Sequence, residues 1–302
     1  MAPSDTVAVT MQAASSPDGA ARESYTRVGA LSLYVRQWTA PSRRPSIVLV
    51  HGLASNSRLW DGAAEALAAR GYHVVAVDQR GHGRSDKPDD GYDMATVAAD
   101  LAGLITGLGL ERPVVAGQSW GGNVVVELAL RRPDLVRGVC GVDGGTIQLR
   151  DRFADWESCA RALAPPDLAG TSAAKFESMI RGAYRGWPDA AVRGTLANIE
   201  VLDDGTIRPW LTFERHMKVL RSLWDHRPLD GLASLSRPLL LTPASATEAV
   251  SASQRESFER VASQSPHVRV HWFAPAHHDL HAQYPQRWAE VLDAHITGGF
   301  LA

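Results

Sequence analysis

The chain has 302 residues, 45% of them hydrophobic and 21% charged, with a formal net charge of −2. It can bury a sizeable core, and it carries no charge excess that would suit nucleic acid or an anionic membrane surface. Its two cysteines, Cys140 and Cys159, exclude a disulfide framework, and no apolar run reaches the roughly 18 residues of a membrane span.

Residues 1 to about 22 are rich in Ala, Ser, Pro and Gly and read as a flexible tail. They lack a basic stretch followed by an apolar one, so no secretory signal is expected and the cytoplasm is the expected compartment. Strands are then predicted at Tyr25–Val28 and Leu31–Trp38, joined by Gly29-Ala30 as a hairpin. Further strands follow at Ser46–Val50, His73–Val77, Pro113–Ala116 and Val136–Val142, with helices at Arg58–Arg70, Met94–Leu108 and Trp120–Arg132 between them. The alternation resumes late with strands Pro238–Leu241 and Val268–Phe273 and helices Gln254–Ser263 and Pro285–Ile296. Such β-α-β alternation predicts an α/β fold whose mostly parallel, eight-stranded sheet has helices on both faces.

The segment 146–232 breaks this rhythm. It has no clear strand, and its patterns are helical at Phe153–Leu163, Ala173–Arg185, Ala190–Leu202 and Phe213–Trp224. It reads as a helical cap inserted into a core formed by residues 23–145 and 233–302. Its tryptophans, Trp156, Trp187, Trp210 and Trp224, are candidates for lining an apolar pocket, although at least two are expected to fill the cap's own core.

Gly117-Gln118-Ser119-Trp120-Gly121 lies between an apolar strand and an apolar helix. Strand, sharp turn and helix is the setting of a nucleophile elbow, which lifts one hydroxyl to a helix N-terminus where developing negative charge is favoured. A serine hydroxyl needs a base, an orienting acid and donors for an oxyanion. The turn His51-Gly52-Leu53-Ala54 offers the Leu53 N–H as a donor beside that of Trp120, with His51 holding the loop. Asp78-Gln79-Arg80-Gly81-His82-Gly83-Arg84-Ser85 reads as scaffold, with Asp78 and Arg80 as a candidate pair. The loop Ala276-His277-His278-Asp279 follows the last strand and can carry a histidine to the elbow. Gly81-His82-Gly83 lacks the third glycine of a dinucleotide fingerprint, and no cluster of metal ligands stands out, so neither cofactor nor metal is expected.

These motifs, His51-Gly52, Asp78-x-Arg80-Gly81-His82-Gly83-x-Ser85, Gly117-x-Ser119-x-Gly121-Gly122 and His278 to Pro285, resemble those of cap-bearing α/β-hydrolases over about residues 24 to 298. The resemblance implies a serine hydrolase in which the catalytic histidine lies seven residues before the proline of the closing helix. That position is His278, with His277 as the alternative. It also implies an aspartate after the strand matching Pro238–Leu241, but Ala246 stands near that position. Some members of the fold carry the acid on the strand after the elbow helix. Asp143, in Val142-Asp143-Gly144-Gly145, is therefore the leading candidate, and Glu248 the second.

A serine nucleophile does not suit epoxide or haloalkane opening, since a serine ether has no acyl carbon for water to attack. The expected activity is hydrolysis of a small to medium apolar ester or lactone, without nucleic-acid or membrane partners. A hydrolase of carbon–carbon bonds beside a ketone is the alternative enzyme, and a non-enzymatic ligand receptor the alternative class.

Overall fold

The computed structural model describes residues 21–40 and 44–302. The tail predicted for residues 1–22 lies outside them, except that Arg22 already opens the first strand. In chain order the core begins with β1 (Arg22–Val28), β2 (Leu31–Trp38) and β3 (Ile47–Val50). A single 3₁₀ turn leads into α1 (Asp61–Ala68), followed by β4 (Val74–Val77), α2 (Met94–Gly107), β5 (Val114–Gln118), α3 (Trp120–Arg131) and β6 (Gly138–Val142). An insertion of α4 (Trp156–Leu163), α5 (Ala173–Ala183), α6 (Asp189–Leu196), β7 (Ile199–Val201), β8 (Ile207–Pro209), α7 (Phe213–Asp225) and the single turn α8 (Pro228–Gly231) precedes the return to the core. The chain then closes with β9 (Leu239–Thr242), α9 (Ala252–Ser263), β10 (Val268–Val270), the single turn α10 (Leu280–Gln283) and α11 (Pro285–Thr297).

Eight strands form one sheet in the order β1-β2-β4-β3-β5-β6-β9-β10. The β1–β2 hairpin and the β2–β4 pair are antiparallel, and the remaining pairs are parallel. Parallel strands need crossover helices, which cover both faces, so the central strands are apolar except at their ends, Gln118 in β5 and Thr242 in β9. In β3, Val48 and Val50 join a core with α2 and α3, while Ile47 and Leu49 join the opposite core with α1 and α11. All four are fully buried. Polar residues set the helix starts. Asp93, Asp155, Ser172 and Thr212 each accept a hydrogen bond from a backbone N–H of the helix they precede, and Ser251 and Gln254 form a capping box.

The insertion differs from expectation in one respect. Helix α6 ends at Leu196, and Ile199–Val201 pairs antiparallel with Ile207–Pro209. Asp204 Oδ1 accepts from the Thr206 N–H at 2.9 Å, and Gly205 takes a φ of +78°, which closes the turn. Asp-Gly between β-branched residues is a hairpin signal, and it outweighed the helical spacing. The last strand is also shorter than expected. It stops at Val270, with only a bridge from Phe273 to Ala244 beyond it.

Candidate active site

Ser119 sits between β5 and α3 with φ +53° and ψ −121°, a conformation a non-glycine residue adopts only when its surroundings enforce it. The enforcement is close backbone packing. A Cβ on Gly117 would fall 2.1 Å from the Gly121 carbonyl oxygen, and one on Gly121 would fall 2.3 Å from that of His51. Trp120 is the first residue of α3, so its N–H has no partner within the helix and faces the turn. The loop after β3 lies against the same turn, since a Cβ on Gly52 would come 3.1 Å from Ser119 Cβ. That contact brings Leu53, the second candidate oxyanion donor, to the elbow.

His51 and His82 are built into the scaffold. His51 Nδ1–H donates to the Gly52 carbonyl at 2.7 Å, and its Nε2 accepts from the Gln79 N–H at 3.0 Å. His82 Nδ1–H donates to the Arg80 carbonyl at 2.9 Å, its Nε2 accepts from the Ala54 N–H at 3.3 Å, and its ring stacks on Trp120 at 5.4 Å. Burial lowers their pKa values to about 4 and about 3, so both stay neutral at ordinary pH. Asp78 and Arg80 do not pair. Asp78 accepts from the Ser57 and Arg84 N–H groups at 2.7 and 2.8 Å, and Arg80 instead forms a bidentate pair with Asp100 on α2.

On the opposite side, His278 Nδ1–H donates to Asp143 Oδ2 at 2.5 Å. Asp143 leaves β6 with φ +41°, its N–H donates to the Thr242 carbonyl at 3.0 Å, and its Oδ1 accepts from the Ala244 N–H at 2.9 Å. The structure thus joins His278 to Asp143. Glu248 is exposed on the loop after β9. His277 turns the other way. Its N–H donates to Gln283 Oε1 at 2.7 Å, its Nδ1 accepts from the Asp279 N–H at 3.3 Å, and its ring meets Trp187 edge-on at 5.1 Å. Desolvation disfavours a charged His278, but the hydrogen bond and charge of Asp143, helped by Asp279, outweigh it and raise the pKa above the ordinary value.

The four tryptophans do not form one wall. Trp224 is 6% exposed and packs in the main core, where Trp156 meets it edge-on at 6.2 Å. Trp210 carries Lys87 over its ring and lines a cavity of about 140 Å³ with Tyr34, Asn56 and Asp78. Trp187 is the one that meets the histidine loop, stacked on Tyr184 at 4.2 Å. Tyr184, Asp279 and the buried Asn123 were not singled out from sequence. Tyr184 stands three residues before Trp187, and that aromatic spacing was the available signal. Among the described residues no group of three His, Cys, Asp or Glu is arranged to hold a metal ion. Among the same residues no helix is long and apolar enough to cross a membrane.

The sheet order, the inserted helices and the strained serine turn define a hydrolase of the α/β class. The family described as alpha/beta hydrolase fold matches residues 45–180. The chain is 30% identical over 243 residues to 2-(acetamidomethylene)succinate hydrolase of Mesorhizobium japonicum, covering 80% of this chain and 84% of that protein. It is 40% identical over 100 residues to epoxide hydrolase A of Mycobacterium tuberculosis, but that match spans only 31% of the relative's length. Among solved structures, E-2-(acetamidomethylene)succinate hydrolase matches with a TM-score of 0.75 and 25% identity over 92% of this chain and all (100%) of that one. The thioesterase domain from the curacin biosynthetic pathway shares the fold, with a TM-score of 0.73 at 20% identity over 90% of this chain and 99% of that one. The chain belongs to the α/β-hydrolase family.

If His278 must be neutral to act as a base, kcat/KM falls on the acid side with an apparent pKa above about 6.5, the ordinary imidazole value. The pH–rate profile of the free enzyme checks this. An acid limb below that value contradicts the pairing with Asp143.

Proposed function

We propose that the chain hydrolyses a carboxylic ester or lactone through Ser119, His278 and Asp143. The observation that carries this is the hydrogen bond from His278 Nδ1 to Asp143 Oδ2 at 2.5 Å, on a loop whose His278 carbonyl accepts from Nε2 of Gln118, the residue before the strained Ser119, at 3.4 Å. With Nδ1–H held by the carboxylate, Nε2 is left as the acceptor for a proton. Ser119 Oγ attacks the acyl carbon, its proton passes to His278 Nε2, and the Leu53 and Trp120 N–H groups receive the oxyanion. The imidazolium then returns the proton to the departing alkoxide, leaving Ser119 acylated. Water, deprotonated by the same imidazole, releases the acid and restores the hydroxyl. An epoxide opened by Ser119 would instead leave an ether with no acyl carbon for this second step.

The insertion is read as a cap, with Tyr184 and Trp187 offering an apolar wall for the acyl group. A cytoplasmic location is part of the same proposal, supported by two buried free cysteines. A second substrate class, an amide bearing carboxylates, is favoured by the name of the Mesorhizobium relative and by Arg152, whose charge bears on His278.

Ser119→Ala is expected to cost on the order of 10⁶ in kcat, as loss of the serine does in a related triad, with the fold unchanged. Fluorophosphonate should label Ser119 in the native chain. More than a few per cent residual activity rejects the nucleophile, and failure to label favours a binding protein. A panel of p-nitrophenyl esters, lactones, N-acetyl dicarboxylates and vinylogous diketones separates ester, amide and carbon–carbon hydrolysis.

Trp187→Ala is expected to change KM and the order of preference within that panel while the protein stays folded. Trp224→Ala should instead lower stability by about 3–5 kcal/mol, as truncation of a buried aromatic does. Thermal unfolding and substrate profiling of the two variants check the contrast. Identical effects would remove Trp187 from the pocket.

A further inference from the structure

Asn123 is a polar residue at the head of the apolar run Val124-Val125-Val126 on α3, one turn beyond Ser119, and it is fully buried. A buried amide is costly unless its donors and acceptors are all met. Here three of its four hydrogen bonds go to the loop that carries Asp143, and the fourth goes to His226. Asn123 Oδ1 accepts from the Gly145 N–H at 3.0 Å and the Ile147 N–H at 3.2 Å. Its Nδ2 donates to the Ile147 carbonyl at 2.7 Å and to His226 Nδ1 at 3.0 Å. With Nδ1 accepting, the His226 proton sits on Nε2, which donates to Glu127 Oε2 at 3.2 Å. Glu127 also takes Arg131 at 2.5 Å, and its pKa is held down to about 2, first by His226. His226 follows directly on α7, the last long helix of the insertion.

The loop so held is a strained one. Asp143 takes a φ of +41°, and a Cβ on Gly144 would fall 2.2 Å from the Ser119 carbonyl oxygen, so the turn lies directly on the elbow. Gly145 to Ile147 makes no strand or helix ladder, and Asn123 supplies in its place the hydrogen bonds that fix its path.

We propose that Asn123 is a positioning residue for the reaction. It clamps the Gly145–Ile147 turn so that the Asp143 carboxylate stays on His278 Nδ1, and through His226 it ties this clamp to the end of α7. This rests on Ser119, His278 and Asp143 acting as proposed above. Asn123 touches none of the reacting atoms and acts only through Asp143.

The test uses Asn123→Ala in the full chain with one activated ester. Removing the clamp should lower kcat about 10- to 100-fold, the scale seen when an orienting partner behind a functional ligand is lost, with KM little changed. It should also move the acid limb of kcat/KM to lower pH. Asp143 raises the His278 pKa against desolvation, while Asp279 also raises it and Arg152 lowers it. Asp279, Arg152 and the neighbouring His277 and His281 all remain in the variant, so the shift reports Asp143. The downfield proton resonance of His278 Nδ1–H should weaken in parallel. Leu128→Ala, a buried change on the same helix, should lower stability without moving the limb. His226→Ala leaves the three backbone bonds of Asn123 and should move kcat and the limb the same way by a smaller factor.

A folded Asn123→Ala with normal kcat and an unmoved acid limb overturns the proposal. If that variant does not fold, His226→Ala with kcat and limb unmoved overturns it instead. Residual activity in Ser119→Ala would overturn the catalytic assignment itself, a separate result from either.

Discussion

Gln118 pairs with Val142 in the parallel β5–β6 ladder, and both strands end at that level. The next residue on each strand, Ser119 and Asp143, therefore leaves the sheet side by side. The Ser119 N–H still donates to the Val142 carbonyl at 2.9 Å, which locks the two exits together. Both residues have positive φ, +53° and +41°, so each strand turns sharply as it leaves. Side chains at Gly117, Gly121 or Gly144 would push these backbones apart, because each would place a Cβ within about 2.3 Å of a carbonyl oxygen. The site is thus a consequence of sheet register and close backbone approach, and its side chains are oriented by that backbone.

With Asp143 as the proposed acid at the β6 exit, the loop after β9 has a different task. That loop carries alanine near the position where the resemblance implies an acid, and it supplies a backbone donor instead, the Ala244 N–H to Asp143 Oδ1 at 2.9 Å. The Thr242 carbonyl accepts the Asp143 N–H at 3.0 Å. β9 and the loop after it thus hold Asp143 by their main chain, and α3 holds the loop beyond it by Asn123. His51, His82 and Trp120 do the corresponding work across the elbow. Two neutral buried imidazoles tie the Gly52–Ala54 loop to the Asp78–Ser85 scaffold, and one of them stacks on Trp120.

Much of this was legible in the sequence because it is local. The central strands are short apolar runs bounded by turns, the elbow is five consecutive residues with the right flanks, and the order serine, acid, histidine follows the chain. Asp143 was singled out because the alternative position held no carboxylate, and it is the residue that His278 Nδ1 meets. The hairpin in the insertion was missed because the helical pattern read at Ala190–Leu202 covers its first strand. Arg80 was assigned to Asp78, its neighbour in sequence, whereas its partner Asp100 is brought close only when α2 packs on the sheet. The roles of the tryptophans depend on which faces of the inserted helices are buried, and composition does not carry that. Asn123 sat unnoticed in an apolar helix because its partners Gly145, Ile147 and His226 lie 22 to 103 residues away.

The central claim is that Asp143 orients His278. Measuring kcat for Asp143→Asn and Glu248→Gln against one activated ester tests it most directly. An asparagine amide donates where the carboxylate accepted and leaves the imidazole in the wrong tautomer, a change that costs about 10⁴ in a serine protease triad. The account predicts a loss of roughly 10²-fold or more for Asp143→Asn, by the same loss of tautomer control, and near-normal turnover for Glu248→Gln. Near-normal turnover in Asp143→Asn with a crippled Glu248→Gln would contradict it.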